Sequence, residues 1–118
     1  VQLAHASRRY DSRYREIGEI TRALKDLAKE LRIPIVAASQ VSRAVEQRTD
    51  RRPTLADLRE SGNQEADADV VIFIHNAAAS ELIVAKNRHG SRGTAYVLWQ
   101  PRRVRFVSVA RQTKDSLP

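Results

Sequence analysis

The 118 residues are enough for one domain, or one piece of one, and a hydrophobic content of 42 % is enough to bury a core. With no cysteine and three scattered histidines, a disulfide framework and a clustered metal site are excluded, and no apolar run approaches the roughly 20 residues that span a bilayer. The formal charge of +7 comes from 21 Lys+Arg against 14 Asp+Glu, and 17 of those cations are arginine, whose planar fork suits phosphate oxygens, although a solvated charged face is the plainer reading of the charge alone.

The chain lacks methionine and opens on apolar VQL, so it reads as a fragment whose first strand has been cut. No charged-then-apolar leader stands in front, and the expected compartment is the cytoplasm. HASRRYDSRYR, residues 5 to 15, interleaves Arg8, Arg9, Arg13 and Arg15 with Tyr10 and Tyr14. Cations alternating with aromatics suit tracking of a single strand. Tyrosines four apart equally suit the first turn of a helix.

From Asp11 to Arg32, Ile17, Ile20, Leu24, Leu27, Ala28 and Leu31 recur at spacings of three and four, which predicts a helix, and Pro34 forbids its continuation. IVAAS, 35 to 39, is predicted as a buried parallel strand following a crossover helix. Residues 42 to 53, SRAVEQRTDRRP, read as a loop or weakly ordered arm. Thr54 and Asp57 frame a capping box for a short helix TLADLRES, which Gly62 stops. VVIFI, 70 to 74, is a second apolar strand, ELIVAK and TAYVLW form a hairpin, and VRFVSV follows the turn QPRR as a last strand. The final residues, 109 to 118, read as a frayed tail. Helix followed by buried strand predicts α/β architecture with a mostly parallel central sheet that ends in an antiparallel hairpin. Gln40, His75 and the basic cluster at 86 to 92 each follow a predicted strand, and in open α/β sheets ligands gather at the carboxyl ends of strands.

IPIVAASQVSRAVEQRTDRRPTLADLRESGNQEADADVVIFIH, continued by ELIVAKNRHGSRGTAYVLWQPRRVRF, resembles the carboxyl-terminal RecA-like motor domain of DnaB-type replicative DNA helicases. The resemblance runs from VQL to about Phe106, and its most specific signatures are SQxxRxxEQRxDxRPxLxDLRESG and AKNRxGxxGT. It implies a P-loop NTPase core within a homo-hexamer that hydrolyses ATP at subunit boundaries and draws single-stranded DNA through its centre, with primase and a helicase loader as partners and no membrane. The cofactors implied are ATP and Mg²⁺. The glycines at 18, 62, 90 and 93 make no G-x-x-x-x-G-K-[ST] pattern, so the P-loop lies outside this row, as does the Mg²⁺-binding acid. Two departures stand out: Gln64 and Ala66 replace an aliphatic residue and a glutamine, and the connection NAAAS is short for the family. A RecA-like recombinase or clamp-loader-type ATPase, and a non-catalytic single-strand-binding module, are the alternatives; DLRESG and AKNRHG speak against the first.

The resemblance implies a role for each candidate residue. Gln40 would sense a γ-phosphate or attacking water, with Ser39 and Arg43 supporting it, where the plain alternative is a loop-capping amide. Arg59, Glu60 and Gly62 would contact DNA through backbone N–H groups and one arginine, with Glu60 orienting Arg59; a helix cap with an exposed ion pair explains the same residues. Arg8, Arg9 and Arg13 would belong to a basic DNA-facing loop over residues 1 to 15. Lys86 and Arg88 lie two apart at the end of a strand, so their side chains share a face and converge on one anion. In the family the matching pair reaches across the subunit boundary, which makes Arg88 an arginine finger worth about 10³ to 10⁵ in rate. A solvated hairpin tip built on Gly90 and Gly93 is the plain alternative. No residue is read as a metal ligand.

Overall fold

The structure is a computed structural model and describes residues 13–61, 64–76 and 80–109. Helix α1, Arg13–Leu31, turns Ile17, Ile20, Thr21, Leu24, Lys25 and Ala28 to the protein, a stripe with the three-and-four spacing of one helix face. Leu27 and Leu31, placed on that face by periodicity, stay exposed. Its first turn carries an Arg13–Glu16 ion pair. At its end Ile33 N–H donates to Ala28 O across 3.1 Å while Arg32 adopts φ 53°, a six-to-one closing bond around a left-handed residue. Arginine occupies the position that glycine fills most cheaply.

Four strands follow: β1 Val70–Asn76, β2 Ser80–Asn87, β3 Gly93–Gln100 and β4 Arg105–Ser108. They form an antiparallel meander in the order β1-β2-β3-β4. A short helix α2, Gln64–Asp67, precedes β1, and α1 packs on α2 through Thr21 Oγ1, which donates to Asp67 Oδ2 at 3.0 Å. Alternation along β1 divides the sheet. Val71, Phe73 and His75 share one face, and Val70, Ile72 and Ile74 share the other. Phe73 is buried, as are Ile17 of α1 and Val45 and Leu58 from the chain between α1 and α2.

Two expectations are corrected here. IVAAS is extended but enters no strand pairing, and Val36 is 98 % exposed. A strand exists by its ladder, and the meander is contiguous from β1 to β4, with no described strand laid beside 35–39. The sheet of the described residues is therefore antiparallel rather than mostly parallel. The segment 42–53 is also more ordered than its composition implies. It carries a 3-10 turn, Arg43–Gln47, capped by Ser42 Oγ accepting from Ala44 N–H at 3.3 Å, and it buries Val45 and Pro53. The helix predicted at 54–61 is 3-10, Leu55–Ser61, and half of the expected capping box forms: Thr54 N–H donates to Asp57 Oδ2 at 2.6 Å.

Candidate functional site

The site begins with an irregularity in β2. Ile72 pairs with Val84 but Val71 pairs with Lys86, so Ala85 is an extra residue with no partner on β1. Were Ala85 paired with Val71, strict alternation would put Lys86 on the face of Leu82 and Val84. With Ala85 unpaired, Lys86 joins Val71 and Phe73, the face on which α2 lies, and its Nζ donates to Glu65 O at 2.6 Å and Ala66 O at 3.4 Å. Arg88 stands just past the strand and reaches the same carbonyl, Nη2 donating to Ala66 O at 3.3 Å. Lys86 and Arg88 come together on a carbonyl edge of the chain itself, where the sequence had them converging on an anion.

Arg88 is held at two further points by Asp69, whose carbonyl accepts from the Arg88 backbone N–H at 2.9 Å and whose Oδ1 lies 2.9 Å from Nη1. Asp69 also pairs with Lys25 of α1. The hydrogen bond from Lys25, more than the charges of Lys25, Arg88 and His89, holds the Asp69 carboxyl below its ordinary range. At the hairpin tip Asn87 Nδ2 donates to Ser91 O at 3.2 Å, and a Cβ on residue 90 would meet that nitrogen at 2.6 Å, so a larger residue than Gly90 would displace the Asn87 side chain from this bond. A Cβ on Gly93 would meet open space. The pair opens on a cleft of about 760 Å³ lined by Leu55, Glu65, Lys86, Arg88, Gly90 and Arg92. The Arg88 side chain is 43 % exposed there, and Lys86 is half-buried. Three cations on one cleft wall suit phosphate oxygens.

The sensor candidates are not among the residues that line that cleft. Gln40 and Arg43 are exposed, and Ser39 Oγ donates to Gln64 Oε1 at 2.6 Å. Gln64, one of the two residues read as departing from the family pattern in this segment, is only 7 % exposed. It opens α2, so one short helix touches the sensor segment at its start and receives Lys86 and Arg88 on its carbonyls. Of the DNA-facing candidates, Arg8, Arg9 and Gly62 lie outside the described residues. Arg59 and Glu60 sit on the last turn of the 3-10 segment, with their side chains outside the described part. Arg13 belongs to α1 rather than to a loop and is paired with Glu16.

Sequence reasoning missed two arginine clamps. Arg48 grips Asp57 with two 3.0 Å bonds. Burial raises the Asp57 carboxyl, but Thr54 and Arg48 together outweigh it and leave Asp57 below its ordinary range. Arg52 Nε and Nη2 donate to Glu81 at 3.0 and 3.2 Å, and Nη2 also donates to Thr94 Oγ1 at 2.9 Å. His75, expected just beyond a strand, lies within β1 opposite Glu81, with Nδ1 at 3.0 Å from Oε2. The hydrogen bond from Arg52, then that with His75, depresses the Glu81 carboxyl. A signal was available: a carboxylate amid the apolar ELIVA strand must find partners if it points inward.

The description "DnaB-like helicase C terminal domain" matches residues 1–108. The chain belongs to this family. It is 46 % identical to the replicative DNA helicase DnaB of Leifsonia xyli subsp. xyli (strain CTCB07), over 93 % of this chain and 26 % of that protein. It is 41 % identical to the replicative DNA helicase DnaC of Bacillus subtilis (strain 168), over 98 % of this chain and 28 % of that protein. Among solved structures, an ATPase domain superposes with a TM-score of 0.87 at 39 % identity, covering 92 % of this chain and 42 % of that one. A DnaB-like replicative helicase, solved in a study of its interactions with primase, superposes with a TM-score of 0.85 at 40 % identity, over 92 % of this chain and 28 % of that one. This DnaB-family chain thus spans about a quarter of the curated relatives it matches. The described residues correspond to ATPase domains of DnaB-like helicases, so the RecA-like assignment holds at the level of family.

Proposed function

We propose that this chain is the part of a hexameric replicative helicase motor that completes a neighbour's ATP site, and that the whole protein couples ATP hydrolysis to translocation on single-stranded DNA and to duplex unwinding. The reading rests on one observation: Lys86 and Arg88 converge at the rim of an open cleft, with the Arg88 side chain part-exposed. Such a pair fits the phosphate end of ATP, which would receive donors in a fixed array. The residues fit ATP through donors alone; among the described residues no group of three or more His, Asp or Glu side chains is placed to hold a metal ion. Mg²⁺, where bound, neutralises phosphate charge. Lys86 is anchored on two carbonyls, and Arg88 on Asp69 and the Ala66 carbonyl, so both cations stand held at the cleft.

Gln40 acts on the subunit's own nucleotide, with Ser39 and Arg43 beside it, and Arg88 acts on the neighbour's, which accounts for their separation. Arg59, Glu60, Gly62, Arg8, Arg9 and Arg13 serve the DNA, in a cytoplasmic assembly that also engages primase and a loader. Support for primase is the relative whose solved structure was described together with its interactions with primase. The described residues contain no helix long and apolar enough to cross a membrane.

The test is Arg88→Ala in the complete protein. Turnover is expected to fall by about 10³ or more. Mixing these subunits with subunits that lack the P-loop lysine but keep Arg88 should restore part of the activity, because each productive boundary takes a P-loop from one parent and a finger from the other. Verified subunit exchange with no recovery would show that Arg88 serves its own subunit or the fold.

A further inference from the structure

A finger must be aimed. An arginine side chain is rich in rotamers, and a misplacement of about 1 Å in a catalytic array costs on the order of 10²-fold in rate. Register places an aiming residue opposite Arg88: Val70 pairs with Asn87, so the residue before β1, Asp69, stands across from the residue after β2. Asp69 touches Arg88 twice, through its backbone carbonyl at 2.9 Å and through Oδ1 at 2.9 Å from Nη1. Ala66 O takes Nη2, and the other oxygen of Asp69 binds Lys25 of α1. The guanidinium is thus fixed through Nη1 and Nη2 by groups tied to α1 and α2, while the part-exposed side chain lines the cleft. Lys25 and Arg88 keep Asp69 charged, since its carboxyl lies below the ordinary range. An exposed ion pair of this kind contributes little to folding, because water screens it. Its geometric effect on a catalytic arginine is the larger consequence.

We propose that Asp69 is the positioning residue that aims Arg88 at a nucleotide held by the neighbouring subunit, an inference that rests on the trans-finger reading of Arg88. It acts through Arg88 and touches no substrate.

The mixed-ring format tests this in the complete protein. One parent, carrying Arg88→Ala, donates the P-loop; the other, without the P-loop lysine, donates the finger. Asp69→Asn in the finger donor should lower kcat about tenfold with KM for ATP unchanged, and the same substitution in the P-loop donor should cost at least about fivefold less. Asp69→Glu, which keeps the carboxylate, should show the same asymmetry at a smaller size; it supplies the test where the amide variant does not assemble. Equal losses from both placements, or no loss from either, overturn the positioning role. No activity in the unmodified mixture overturns the finger reading instead, so the two failures are distinguishable.

Discussion

Phe73 and Ile74 are neighbours on β1 with opposite fates: Phe73 is 5 % exposed and Ile74 is 60 % exposed. Their strand alternates as any strand does, so the difference comes from what lies over each face. Above Phe73 the chain between α1 and α2 is drawn in, buries Val45 and Leu58, and is fastened by the Arg48–Asp57 and Arg52–Glu81 clamps. Above Ile74 no described layer closes the face, and Val70 and Ile72 share its exposure. Hydrophobicity selects residues for burial, but a layer has to arrive, and on the closed face paired charges hold it in place.

The sharpest way to break this comparison is truncation on either side of the strand. Phe73→Ala should cost this chain about 3 to 5 kcal/mol, the usual penalty for deleting a buried aromatic, whereas Ile74→Ala should cost well under about 1 kcal/mol. Urea midpoints read by circular dichroism measure both, and equal costs would show that the two faces are alike. Next in size is Asp57→Ala, which leaves the Thr54 N–H without its acceptor and Arg48 with only the Arg52 carbonyl. A loss of about 2 kcal/mol is expected for so buried a group.

Acid tests the same clamps together. Asp57 and Glu81 have folded-state pKa values below those of the unfolded chain, so the unfolded state takes up protons first as pH falls. Their contribution is complete above the unfolded values, near about 4, and is lost as pH falls through the folded ones. Denaturation midpoints should therefore drop from about pH 5 downward, and the double variant Asp57→Asn, Glu81→Gln should flatten that slope. A slope unchanged by the double variant would place the acid sensitivity elsewhere.

The smallest effects are gains. Val104, at φ 48°, is a β-branched residue in the left-handed region, in the turn between β3 and β4. Val104→Asn should stabilise by about 1 kcal/mol, and Arg32→Gly at the end of α1 by somewhat less, because each relieves backbone strain. A rise in thermal midpoint of a few degrees is the readout.

Much of this was legible because local signals sufficed. The apolar spacing marks the end of α1 to within one residue, the apolar runs ELIVAK and TAYVLW mark β2 and β3, and the RESG and AKNRHG signatures name the family. IVAAS misled because an apolar run reports that a segment is suited to burial and says nothing of whether a partner strand lies alongside. The clamps were hidden for a related reason: Arg52 and Glu81 are 29 residues apart, and spacing rules reach only across one helix turn or one strand pair. The aim of Lys86 depended on a bulge, and no residue type announces one at Ala85.

That bulge makes the site answer to pairing. Were Ala85 to take the place opposite Val71, strict alternation would turn Lys86 to the side of Leu82 and Val84, with its chemistry intact and its target gone. Deleting Ala85 would instead set Lys86 directly after Val84 and still opposite Val71, so the lysine would keep its face. The extra residue can be lost without reversing the lysine, but it cannot be absorbed into the ladder.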